Sequence, residues 1–144
     1  MAIYGAGSNW GGTEIRQRLF DNNNYLIGWD IVNAEDLYTL ISSIKVGDII
    51  YLKSNSPGSL NIRIKGIGIV TRSLMQTLFE NEIDLSNMRA NFELPIHWIS
   101  TENLTVAIPE DTGKLTNVRA ATLYEEYLPF VQDEILNILF SHLN

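Results

Sequence analysis

The run LNIRIKGIGIV, residues 60–70, alternates apolar and polar side chains but changes phase part-way along. Leu60, Ile62 and Ile64 share one face, while Ile67 and Ile69 would fall on the other if the strand were regular. Side chains in a strand alternate with a period of two, so a one-residue slip would turn part of this apolar set toward water. A β-bulge resolves the conflict, and Gly66, which has no side chain to obstruct one, marks its place. The preceding VGDIIYLKS, residues 46–54, supplies the partner: Gly47-Asp48 makes a turn and residues 49–53 a strand. With NSPGS, residues 55–59, as the loop between them, the two strands pair antiparallel.

Around this pair the chain reads as a single α+β domain over residues 1–144. A chain of 144 residues, 45% of them hydrophobic, can bury one sizeable core and is too short for two. Residues 2–5 read as a short strand, and Thr13 as the cap of a short helix in which Ile15, Leu19 and Phe20 share a side. YLIGW, residues 25–29, reads as a second strand that ends on Asp30. Glu35 and Asp36 then open the clearest amphipathic helix of the first half, with Leu37, Leu40, Ile41 and Ile44 at helical spacing. Residues 73–80 read as a helix, residues 92–100 as a strand with Pro95 at an edge or bulge, and residues 104–109 as another strand. The final helix opens with Pro129 and repeats apolar residues at Leu128, Val131, Ile135, Ile138 and Leu139. Phe130, Leu136, Phe140 and Leu143 widen its apolar coverage, so that residues 128–144 are also a candidate contact with a second copy of the chain.

Charge and residue usage exclude several classes of function. The net charge of −7 argues against a broad grip on duplex phosphates, yet residues 1–72 carry seven Lys and Arg against six Asp and Glu, and the remainder three against eleven. An anionic ligand would prefer the first half. With no cysteine and with His97 and His142 far apart, neither a metal site nor a thiol nucleophile is expected, and no cofactor. No apolar stretch approaches the roughly 20 residues needed to cross a bilayer. The N-terminus also lacks a secretory pattern, so the expectation is a cytoplasmic protein with no membrane partner.

The opening YGAGSNWGG, residues 4–12, sets a strand before a glycine-rich turn and a helix, with Asp30 where a ribose-binding acid would stand. That invites a dinucleotide-binding reading. However, Gly5, Gly7 and Gly11 give G-x-G-x-x-x-G, one residue longer than the usual fingerprint, and a hairpin follows where further βαβ units would be needed.

The order YGAGSNWGG, YLIGWD, a helix, IKVGDIIYLKS, IKGIGIVT and PIHWIS resembles the PUA-like superfamily, in particular EVE domains and the N-terminal domain of Mrr-type restriction endonucleases. The resemblance covers residues 2–108 and implies a small, mostly antiparallel pseudo-barrel with helices around it, followed by a C-terminal helical extension over residues 115–144. It further implies a nucleobase, often modified, received in an aromatic pocket. The positions that correspond are Trp10, Trp29 and Asp30, Lys53 and Ser54, and Trp98. Beside them Ser8 and Asn9 belong to the same glycine-rich turn, whose backbone N–H groups can receive an anion. Indole faces stack on planar bases, Asp30 or Asn9 can read a hydrogen-bonding edge, and Lys53 can meet a phosphate. Trp29 and Trp98 suit the core equally well, Asp30 a cap, and Lys53 solvent. The resemblance leaves the last part of the chain unexplained; there Asn117, Arg119 and Tyr124 can close over the pocket or build an oligomer face.

Catalytic groups are sparse. His97 stands in an apolar strand without an evident partner, and the adjacent pairs Glu125-Glu126 and Asp133-Glu134 point to different sides of a helix, which does not make an acid and base dyad. The expectation is a non-enzymatic protein that recognises a nucleobase or nucleotide, either a modified base in nucleic acid or a free nucleotide. Two alternatives stand beside it: a phage-type counter-defence protein that sequesters a cyclic or adenosine-containing nucleotide signal, and a small nucleotide-processing enzyme or dinucleotide-binding protein.

Overall fold

The computed structural model describes residues 1–28, 33–54, 61–80, 93–109 and 122–143, and it is an α+β structure built on a curled, mixed sheet. In chain order the elements are β1 (Ile3–Gly7), β2 (Asn9–Trp10), β3 (Thr13–Glu14), α1 (Arg16–Asn22), β4 (Asn24–Leu26), α2 (Glu35–Ser42) and β5 (Ile49–Ser54). There follow β6 (Asn61–Val70), α3 (Leu74–Glu80), β7 (Glu93–Ser100), β8 (Leu104–Ala107), β9 (Leu123–Glu125) and α4 (Pro129–Leu143). The sheet runs β4-β7-β6-β5-β1-β9, and β8 also pairs with β6. Among the described residues β1 and β5 lie parallel and the other pairs antiparallel, so the sheet is not doubly wound.

The phase break in β6 is resolved by a bulge at the expected place. Leu52 faces Gly66 and Lys53 faces Ile64, which leaves Lys65 as the surplus residue. Ile62, Ile64 and Ile67 consequently enter one apolar cluster, with Ile69 packed against it. Gly66 serves a second purpose, since a Cβ there would come within 2.8 Å of the Phe20 ring.

The sheet is buried on both faces. From β5, Ile49 and Tyr51 join Val131, Ile135 and Leu139 of α4 on one side. Ile50 and Leu52 join Leu19 of α1, Ile41 of α2, and Leu74 and Leu78 of α3 on the other. Each fully buried aliphatic side chain of α4 contributes about 1.5–3 kcal/mol, so the helix docks along the stretch from Val131 to Leu139. Phe140 and Leu143 stay 54% exposed on its outer side. Among the described residues no helix is long and apolar enough to cross a membrane.

Some local expectations are corrected. Thr13 does not cap a helix: it pairs with Trp10 across a hairpin, and α1 begins after Ile15 with no side-chain cap. The second strand stops at Leu26, not at Trp29, and Asn23 ahead of it takes a left-handed φ of 52°, which Asn tolerates. Residues 123–125, read from sequence as part of a helical extension, form β9 against β1. There Gly5 is needed, because a Cβ would overlap the Tyr124 ring. The Tyr124 hydroxyl lies 2.7 Å from that of Tyr51, which donates to the buried Glu126 carboxylate at 2.6 Å. Glu126 also accepts from the Leu128 N–H at 3.2 Å, so one buried acid ties the sheet to the start of α4.

Candidate functional site

Gly7, the last residue of β1, pairs in parallel register with Lys53, one residue before the end of β5. A pocket of about 480 Å³ opens at that point. Its walls come from the segment after β1, from Gly28 after β4, from Lys53 and Ser54 at the end of β5, from Lys65 in the β6 bulge, and from Thr122.

The glycine-rich segment forms a hairpin on the rim. Ser8, fully buried, donates its hydroxyl to Glu14 Oε2 at 2.7 Å, and its carbonyl accepts from the Ile15 N–H at 2.8 Å. Asn9 and Trp10 then pair with Glu14 and Thr13. Gly11 and Gly12, with φ of 57° and 93°, make the two-residue loop, since only that left-handed geometry follows the twist of so short a hairpin. The Asn9 side-chain oxygen accepts from the Gly12 N–H at 2.8 Å and closes the turn.

Trp10 is thereby held half-buried in the pocket wall. Its indole lies against Gly28, where a Cβ would approach the ring atoms to 2.9 Å. The Arg18 guanidinium stands 5.7 Å from its ring centroid, and its indole nitrogen is buried with no hydrogen-bond partner among the described residues. Beneath the rim, Tyr25 donates its hydroxyl to the Gly7 carbonyl at 2.9 Å, fixing the end of β1.

The opposite wall is cationic. The Lys53 ammonium is 5.6 Å from the Tyr124 ring centroid, and burial, reinforced by the charge of Lys65, pulls its pKa down to about 8. Lys65, itself buried, donates to Glu14 Oε1 at 2.6 Å. Burial favours the neutral form of Glu14, but hydrogen bonds from Lys65 and Ser8 and the charges of Lys65 and Arg16 outweigh it and hold the carboxyl below its ordinary range. A second hollow of about 290 Å³ adjoins the first, sharing Asn9, Ser54 and Lys65 and adding Glu14, Arg16, Arg63 and Asn103. Among the described residues the two hollows thus present four basic side chains and one carboxylate.

Of the residues singled out in the sequence, Ser8, Asn9, Trp10, Lys53 and Ser54 meet at this pocket. Trp98 does not line it: its indole N–H donates to the Leu19 carbonyl at 3.1 Å and its ring meets Phe20 edge-on at 5.2 Å, inside the helix-covered core. Trp29, Asp30, Asn117 and Arg119 lie outside the described residues. His97 is exposed on β7. Sequence reading missed Lys65, Glu14, Arg16 and Arg63, although the signal for Lys65 was present, because a bulge delivers its surplus residue to a place a regular strand cannot reach. Among the described residues no three acidic or histidine side chains converge on a point that could hold a metal ion. No protein-family model matches the chain, and comparison with curated proteins finds no relative.

Proposed function

We propose that this protein binds a nucleobase or nucleotide in the pocket at the ends of β1 and β5, and that it acts by binding and not by catalysis. On this reading the curled sheet is a PUA-like pseudo-barrel whose open end receives the base. The observation that carries the proposal is the pairing of an indole wall with two buried ammonium groups in one hollow of about 480 Å³. That volume lies within the range of small-molecule sites. A planar heterocycle resting on Trp10 would gain about 1–3 kcal/mol from stacking. Asn9 and Ser54 offer donors and acceptors to its edge, and Lys53 meets negative charge.

The test is a thermal-shift screen of the full chain against nucleosides, modified nucleosides and nucleotides, repeated with Trp10→Ala. A ligand that raises the midpoint of the parent and not of the variant supports the reading, provided that denaturation returns the ligand chemically unchanged. A returned product that differs from what was added would make the protein an enzyme. A response that survives Trp10→Ala would move the binding site elsewhere.

A further inference from the structure

Resting on the reading of the first hollow as a base site, we propose that the adjoining hollow is a phosphate subsite and that the ligand is a free phosphorylated nucleotide, its phosphate held by Arg16, Arg63 and Lys65. The two spaces adjoin, with Asn9, Ser54 and Lys65 lining both. A base against Trp10 would therefore direct its sugar substituent past these residues into the second space.

The charges there are arranged for an anion. Glu14 is the one carboxylate among the described lining residues, and both its oxygens are engaged: Oε1 by Lys65, Oε2 by the Ser8 hydroxyl and the Ile15 N–H. The guanidiniums are differently placed. Arg16 donates to the neutral side chain of Asn103, and Arg63, exposed on β6, makes no ion pair among the described residues. Planar guanidiniums match phosphate oxygens two at a time, which a lone ammonium cannot do. The setting favours a small ligand over a polymer. The net charge of −7, with three basic residues against eleven acidic from residue 73 onward, opposes the broad grip on many phosphates that a polymer would need.

Titration calorimetry on the full chain tests this with AMP, GMP, CMP and UMP, the matching nucleosides, inorganic pyrophosphate and a short single-stranded oligonucleotide. At least one monophosphate is expected to bind about tenfold more tightly than its nucleoside. The double variant Arg16→Gln with Arg63→Gln should remove that advantage and leave nucleoside affinity unchanged. Equal affinity for nucleotide and nucleoside, or an advantage that persists in the variant, overturns the phosphate subsite while the base reading stands. Pyrophosphate binding that the variant loses, with no response to any nucleoside or nucleotide, supports the subsite and overturns the base pocket. Tighter, steeply salt-dependent binding of the oligonucleotide than of every mononucleotide overturns the free ligand. Silence toward every probe overturns both readings.

Discussion

Lys65 Nζ stands 2.6 Å from Glu14 Oε1, so the surplus residue of the β6 bulge is tied to the hairpin that carries Trp10. The lysine is almost fully buried and the acid about one-third exposed, with side-chain exposures of 8% and 36%. Glu14→Gln is expected to cost about 1 kcal/mol at neutral pH, a figure kept small by that partial exposure. Because the folded carboxyl titrates below its ordinary value of 4.5, its contribution is complete above that pH and fades as acid protonates the folded state. Urea unfolding below pH 4.5 should therefore fall less steeply in Glu14→Gln than in the parent.

Lys53 predicts the opposite slope. Its folded pKa of about 8 lies below the ordinary 10.5, so between these values the unfolded chain binds more protons and stability rises with pH. Below pH 8 the cost of the buried charge is present in full. Lys53→Met should consequently stabilise the protein at pH 7, by on the order of 1–2 kcal/mol after allowance for screening. It should also flatten the rise between pH 8 and 9.5 in denaturant titrations, and weaken the response to phosphorylated probes.

Gly28→Ala places a methyl group 2.9 Å from the Trp10 indole. Either the ring or the backbone must shift, at a cost of about 1–3 kcal/mol. Trp10 fluorescence should change, and any ligand response that depends on the indole should weaken with it. Gly12→Ala is the control, because nothing lies within 4 Å of its Cβ. It carries only the strain of a φ near 93°, so about 1 kcal/mol is lost without displacement of Trp10.

Tyr51→Phe removes a hydroxyl that donates to Glu126 Oε1 at 2.6 Å in a buried setting. The carboxylate loses that donor and the Tyr124 hydroxyl its neighbour, for an expected loss of about 1–3 kcal/mol. Leu139→Ala on the same apolar cluster should cost about 2–5 kcal/mol through the cavity it leaves. Chemical denaturation of the two variants would rank them, and a Tyr51→Phe loss within error of zero would show that the hydroxyl network adds nothing to stability.

The parts of the fold legible in sequence were those whose signal is periodic. The β5–β6 hairpin with its bulge, the amphipathic face of α2 and the buried stripe of α4 follow from spacing alone, because burial acts on whole faces. Short elements escaped. Three residues of β9 carry too little alternation to be recognised, and Thr13 read as a helix cap because nothing in the sequence marks its short pairing with Trp10. The site was half legible for the same reason. Trp10, Asn9 and Lys53 stand at turns and strand ends that a reader can mark, whereas Glu14, Arg16 and Arg63 reach the hollows only through tertiary geometry. Trp98 illustrates the converse, since the PUA-like resemblance offered it as a pocket group and its indole N–H is held instead by the Leu19 carbonyl, against the core.

Tyr4 lies in register with Glu125, and the Glu126 N–H donates to the Ile3 carbonyl at 2.7 Å. Two segments more than a hundred residues apart must therefore meet before the outer edge of β1 is covered. Closure of that long loop should be a late and slow event in folding. Until then β1 exposes an open edge to other nascent chains, so the yield of soluble protein should depend on how quickly synthesis passes residue 126.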